Sequence, residues 1–279
     1  GRLDAAVKSF EKAVALKPDY IEAHYNLGVT LKELGKPDAA VKSYEKALTL
    51  KPDYTDAHYN LGNAFKELGQ LDAAVKSYEK ALTLKPDHAN AHNNLGNALS
   101  DLGQLDDAVK SYKKALAINP NYAVAHNNLG VTLKDLDQLD AAIKCYEKAV
   151  ALKPDYADVY RNRGNLLKDL KRYDEALTSY ESAIALDPDL DFILGDSLHT
   201  KMDLCIWDDL ENRLNELTKK INNGEKAMGP FHLLALIDDP EIQRKNAEIY
   251  TNERYPQSHV LPKIERYPRH KKIHIGYFS

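Results

Sequence analysis

Asn26, Asn60, Asn94, Asn128 and Asn162 recur every 34 residues, the first four directly before a Leu-Gly pair and the fifth before Arg163-Gly164. Asparagine is a mediocre helix former, so helix propensity does not account for five of them in phase. A carboxamide carries two N–H donors and a carbonyl acceptor, and a row of them can hold the N–H and C=O groups of an extended polypeptide together. Asn63, Asn97 and Asn165 follow one helical turn later and extend the row. Packed helices lie about 10 Å apart and an extended chain rises about 3.3 Å per residue, so one amide would meet roughly every third residue of a bound peptide. Each such bond contributes about 0.5–1.5 kcal/mol net, which describes a weak grip that reads backbone rather than sequence. The same amides could tie neighbouring helices to one another instead. On the sequence alone the two uses stand level.

Other chemistry is harder to find. His24, His58, His92 and His126 form a second row, but they stand a whole period apart, and zinc needs its ligands about 2.0–2.3 Å from one ion. They read as packing residues. Lys32, Lys66, Lys134 and Lys168 read as a solvated face beside the amides. Cys145 and Cys205 form no CxxC pair, which fits a reducing cytoplasm and excludes a disulfide scaffold. Lys plus Arg number 38 against 42 Asp plus Glu, a net charge of −4 that gives no general footing for nucleic acid. No stretch approaches the roughly 20 apolar residues of a membrane span. No Gly-rich phosphate loop, carboxylate pair or Ser/His/Asp set is present. The chain as it stands is therefore expected to catalyse nothing and to hold no metal or cofactor.

The elements that carry these rows follow the same period. Pro18, Pro52, Pro86, Pro120, Pro154 and Pro188 are 34 residues apart, as are Gly28, Gly62, Gly96, Gly130 and Gly164 and the aromatic row Phe10, Tyr44, Tyr78, Tyr112, Tyr146 and Tyr180. Within a period, Leu27, Leu31 and Leu34 recur at helical spacing and Gly35 ends that helix as a left-handed cap. Gly69 and Gly103 repeat the cap; Asp137 tolerates the conformation and Lys171 is a poorer substitute. A second helix opens near Asp38, Asp72, Asp106, Asp140 and Asp174, buries residues such as Val41, Tyr44 and Leu48, and stops before the proline. Neither helix can bury its apolar face alone, so units must stack.

This pattern, with Leu-Gly, Ala-x3-aromatic and a closing Pro, resembles the tetratricopeptide repeat. The resemblance implies an all-α fold, a right-handed α-solenoid of helical hairpins whose first helices line a concave peptide-binding side. Residues 1–20 supply the second helix of a truncated repeat, and 21–54, 55–88, 89–122, 123–156 and 157–190 are five units. Residues 191–224 keep the length without the Gly and Pro, and read as a degenerate helical pair through Leu194, Leu198, Leu210, Leu214 and Leu217. The helix faces left open at a truncated end predict end-to-end or dimeric association. Repeats of the type that clamp acidic chaperone tails use Lys and Arg on the concave side; here those positions hold Tyr25, Tyr59, Asn93 and Asn127 or the acidic Glu22, Asp56 and Asp158. Arg161 and Arg163 break the fifth unit's pattern and read as a tuned contact with the following domain, ahead of the alternative of a partner site.

Residues 225–270 read as a helical, proline-containing linker, and 271–279 as one terminal β-strand, because Ile273, Ile275 and Tyr277 alternate with polar or small residues. The basic cluster Lys263, Arg266, Arg269, Lys271 and Lys272 reads as solvated linker. GDSLHTKMDLCIWDDL (195–210), PFHLLALIDDP (230–240) and HKKIHIGYFS (270–279) resemble, in that order, the segment that joins such repeats to the catalytic half of O-linked N-acetylglucosaminyltransferases of bacterial and plant type. That resemblance implies a substrate-recruiting arm for acceptor proteins, with UDP-N-acetylglucosamine the donor of the longer enzyme. The family's catalytic histidine, phosphate-contacting lysine and uridine pocket match no position here. The alternative is a stand-alone scaffold that assembles a protein complex.

Overall fold

The computed structural model describes residues 1–255, and every regular element among them is an α-helix. They fall into two compact units, Gly1–Trp207 and the part from Asp208 onward. The first unit opens with α1 (Arg2–Leu16), followed by the pairs α2 (Ile21–Glu33) with α3 (Pro37–Leu50) and α4 (Thr55–Glu67) with α5 (Leu71–Leu84). Next come α6 (Ala89–Asp101) with α7 (Leu105–Ile118), α8 (Ala123–Asp135) with α9 (Leu139–Leu152), and α10 (Ala157–Asp169) with α11 (Tyr173–Leu186). The helix α12 (Ile193–Asp203) completes this unit. The second unit contains α13 (Leu210–Asn222), α14 (Pro230–Leu234) and α15 (Pro240–Arg254), with α13 and α14 both packed on α15. Segment 191–224 thus forms two helices that belong to different units. The strand expected at 271–279, the last part of the linker and the basic cluster lie outside the described residues.

The aromatic row is the centre of each pair. Tyr44, Tyr78 and Tyr180 have no exposed surface, and Tyr112 and Tyr146 have almost none. Each ring presses against the glycine in phase on the partner helix: a Cβ placed on Gly62 would stand 2.6 Å from Tyr78 Cε1, and the equivalent distances along the stack are 2.6 to 2.7 Å. Only glycine allows that approach. The apolar core runs on from pair to pair, one continuous cluster reaching from Ala74 to Ile193.

Chain reversals follow the expected cap chemistry, with one difference. Gly35, Gly69 and Gly103 adopt φ of 68°, 71° and 75°, and the unit-four and unit-five equivalents Asp137 and Lys171 are held at 58° and 60°. The aspartates expected to open the second helices sit one residue inside them and make no capping bond; the cap positions are Lys36, Gln70, Gln104, Gln138 and Arg172. Their contribution is the favourable placement of negative charge in a first turn.

Successive first helices approach one another, α2 to α4, α4 to α6, α6 to α8 and α8 to α10, whereas no two second helices do so to the same extent among the described residues. The stack therefore bends with its first helices on the inner side, which is where both asparagine rows lie.

Candidate functional site

The amides of the inner face are bonded across the unit boundaries. Asn60 Nδ2 donates to the Tyr25 hydroxyl (2.8 Å) and Asn162 Nδ2 to Asn127 Oδ1 (3.0 Å). Asn94 uses both donors, to the Tyr59 hydroxyl (3.1 Å) and Asn63 Oδ1 (2.9 Å). Asn128 does likewise, to Asn93 Oδ1 (3.2 Å) and Asn97 Oδ1 (3.0 Å). The tying use that the sequence left open is thus present in the fold. The second row answers from within each unit: the hydroxyls of Tyr78, Tyr112 and Tyr180 donate to Oδ1 of Asn63, Asn97 and Asn165 at 2.8, 2.7 and 2.8 Å.

This wiring divides the polar atoms that remain. In the first row the amide oxygens keep acceptor capacity, since those of Asn60, Asn94 and Asn128 take only one long bond each, at 3.4, 3.2 and 3.4 Å. In the second row the oxygens of Asn97 and Asn165 are bonded, and their Nδ2 groups remain as donors. Asn26, at the first unit, is exposed and has no side-chain partner. The eight asparagines lie along one face, but they are not equivalent.

The lysines beside them are paired rather than merely solvated. Lys32 reaches Glu67 (4.0 Å), Lys66 reaches Asp101 (3.4 Å) and Lys134 reaches Asp169 (2.9 Å), each bridge crossing to the next unit. These half-exposed pairs contribute about 0–1 kcal/mol each and align the units more than they stabilise them. Ser100 stands where the third lysine would be, so Asp135 receives no cation from the unit before it. Lys168 turns to His199 of α12, and burial holds its ammonium below the usual range. Asp196 beside it is pushed up to about 6, chiefly by burial and against the pull of Lys168 and Arg161. Arg161 donates to the carbonyl of Asp191 (3.2 Å), at the start of the segment it was expected to meet.

Two clefts open along this face. One of about 520 Å³ is lined by Lys32, Asn63, Lys66, Tyr78, Asn94 and Asp101. The next, about 270 Å³, is lined by Asn97, Ser100, Tyr112, Asn128, Val131 and Thr132 among others. They share Lys66 and Asp101, so together they form a polar groove across α4, α6 and α8. Neither holds a set of groups for proton transfer or nucleophilic attack. No cluster of three or more His, Cys, Asp or Glu suited to a metal ion exists among the described residues.

The histidine row has a use that packing alone did not suggest. His24, His58, His92 and His126 place Nε2 at 2.9, 2.9, 3.0 and 3.1 Å from the carbonyls of Pro18, Pro52, Pro86 and Pro120. A carbonyl only accepts, so each Nε2 carries the proton and the ring latches the preceding loop to its own helix. The signal was a histidine six residues after each of Pro18, Pro52, Pro86 and Pro120.

Family models described as "TPR repeat" match residues 1–35, 30–69, 62–103, 96–137 and 132–171, and one described as "Tetratricopeptide repeat" matches 157–190. No curated protein sequence matches the chain. Among solved structures, the chain resembles YrrB, titled a TPR protein with an unusual peptide-binding site, at 25% identity with a TM-score of 0.57, over 70% of this chain and 99% of that one. It resembles MamA at 26% identity with a TM-score of 0.55, over 58% of this chain and 95% of that one. PilF of Pseudomonas aeruginosa, at 21% identity and a TM-score of 0.63 over 71% and 90%, shares the fold.

Proposed function

The chain belongs to the tetratricopeptide-repeat family, and from that footing we propose that its inner groove binds extended segments of partner polypeptides by their backbone. The observation that carries this reading is the division between the two asparagine rows. Amide oxygens of Asn60, Asn94 and Asn128 offer acceptors, and the Nδ2 groups of Asn97 and Asn165 offer donors, along one face. A peptide backbone alternates N–H and C=O and needs both kinds. Exposed Asn26 and the remaining oxygen capacity of Asn162 extend the face at either end. YrrB, similar over nearly its whole length, is titled for a peptide-binding site.

The test uses Asn97→Asp and Asn165→Asp. Each keeps the oxygen that accepts from Tyr112 or Tyr180 and removes the free donor. Titrated with fluorescent unstructured peptides, each is expected to bind about two- to tenfold more weakly, the value of one hydrogen bond, with an unchanged melting temperature. Unchanged affinity would remove the groove role.

The finer reading is that this groove recruits acceptors for a protein O-linked N-acetylglucosaminyltransferase-like enzyme, with UDP-N-acetylglucosamine as the sugar donor. It rests on the three tail segments, of which 195–210 and 230–240 fall among the described residues, in α12 to α13 and in α14 to α15. The chain itself is then expected to turn over no donor. In a parent carrying transferase lobes, the same two variants would lower transfer to long protein acceptors. A second reading, a scaffold with no enzyme attached, is favoured by the coverage of YrrB, 99% of which is matched by a repeat stack of this kind. Two unbridged cysteines accord with a reducing, cytoplasmic setting for either.

A further inference from the structure

The first helices α4, α6, α8 and α10 all end on a carboxylate: Glu67, Asp101, Asp135 and Asp169. Negative charge is unfavourable there, because the last turn of a helix carries the negative end of its dipole. In three cases a lysine of the preceding unit answers it. Lys32 reaches Glu67, Lys66 reaches Asp101 and Lys134 reaches Asp169, at 4.0, 3.4 and 2.9 Å. Asp135 is the exception. Ser100, which carries no charge, stands in the lysine's place, and Asp135 is exposed with no hydrogen-bond or ionic partner among the described residues. The cation in its own last turn, Lys134, is committed to Asp169.

The place that a lysine fills elsewhere lies here on the groove. Ser100 lines the cleft of about 270 Å³ with Asn97, Asn128, Val131 and Thr132, and Asp135 follows Val131 by one turn of α8. The charged groups that line this cleft, Lys66 and Asp101, are paired with each other. Asp135 is therefore the uncompensated charge beside it.

Resting on the reading of this groove as a site for peptide backbone, we propose that the bound polypeptide supplies the missing cation, a lysine or arginine side chain that enters beside Ser100 and pairs with Asp135. The molecule itself shows this occupant three times, since an ammonium holds the equivalent place at Glu67, Asp101 and Asp169. Asn97 and Asn128 line the same cleft, the one with a donor and the other with an acceptor for the backbone that carries the basic residue. An acidic side chain would meet Asp135 and the negative end of the α8 dipole together, and an apolar one would leave the carboxylate uncompensated. Because Asp135 is exposed, the pair selects among peptides rather than driving their binding.

The test compares two fluorescent, unstructured peptides of Gly, Ser and Thr with blocked ends, one carrying a central lysine and the other norleucine in its place. At low ionic strength the lysine peptide is expected to bind about two- to fivefold more tightly. Asp135→Asn should remove that preference, and so should Ser100→Lys, which rebuilds the internal bridge. Asp169→Asn takes the same charge from a carboxylate that already has its lysine, and should leave the preference in place. Equal binding of the two peptides to the unaltered protein, a preference that survives Asp135→Asn, or an equal loss in Asp169→Asn would overturn the assignment. The backbone reading is scored separately with the norleucine peptide, which Asn165→Asp should weaken. If neither peptide binds, both readings fall.

Discussion

Tyr44 shows how closely one hydroxyl depends on one amide. Tyr78, Tyr112 and Tyr180 each place their hydroxyl on an asparagine oxygen fifteen residues earlier. For Tyr44 that position is Val29, and its hydroxyl is buried with no partner. An unsatisfied buried hydroxyl costs about 1–3 kcal/mol, whereas a made bond contributes about 0.5–1.5 kcal/mol. Tyr44→Phe is therefore expected to leave stability unchanged or raise it, while Tyr78→Phe lowers it by about 0.5–1.5 kcal/mol. Val29→Asn, which restores the missing acceptor but gives up the packing of Val29 on the first core cluster, should cost less stability with Tyr44 present than once Tyr44 is Phe. Urea titrations of the three single variants and the double variant supply the cycle. An equal loss from Tyr44→Phe and Tyr78→Phe would show that the hydroxyl bonds carry no weight. The same contrast explains what sequence reading could and could not reach at this scale. The burial of the tyrosines follows from their period, but the bond from Tyr78 to Asn63 does not, because it needs the distance between two helices that only packing sets.

At the scale of the helix pair, the sequence is most legible where covalent geometry decides. Helix ends fall where glycine and proline put them, and Leu-Gly marks the contact of Gly62 with Tyr78. The aspartates stand two positions past the cap because nothing in their chemistry separates a cap from a first-turn residue; both favour negative charge. The inter-unit bridges were missed for a different reason. Lys32 and Glu67, or Lys66 and Asp101, are neighbours only after one unit is stacked on the next, and their spacing of 35 exceeds any helical period. Lys171 lets the geometric rule be tested. It occupies the left-handed cap at φ 60°, where Gly35 stands in the first full unit, and such a conformation costs an L residue about 1–2 kcal/mol. It is exposed and carries no side-chain bond in the structure. Lys171→Gly is accordingly expected to stabilise, by up to about 1 kcal/mol after the added entropy of the unfolded glycine is subtracted. A lower melting temperature in calorimetry would contradict that.

At the scale of the repeat stack, stability is a sum over units and the junctions between them, because each pair touches only its neighbours. The junctions are not alike. Asn94 and Asn128 each carry two hydrogen bonds across the central boundaries, Asn60 and Asn162 one, and Asn26 none. The polar wiring is therefore concentrated where it couples the two halves of the stack. Replacing Asn94 and Asn128 together by Ala removes four such bonds, about 2–6 kcal/mol at 0.5–1.5 each, and leaves Asn63 and Asn97 still satisfied by Tyr78 and Tyr112. The apolar core across these boundaries is retained, so the variant should still fold. What it should lose is cooperativity: amide exchange in α2 to α5 and in α8 to α11 would report different opening free energies, where the unaltered chain reports one. Asn26→Ala, with no bond to break, should leave the exchange profile as it is. If the double variant still opens as a single unit, the coupling resides in the tyrosine and leucine contacts of the core, and the amides of the inner face are then left with ligand binding as the reason for their phase.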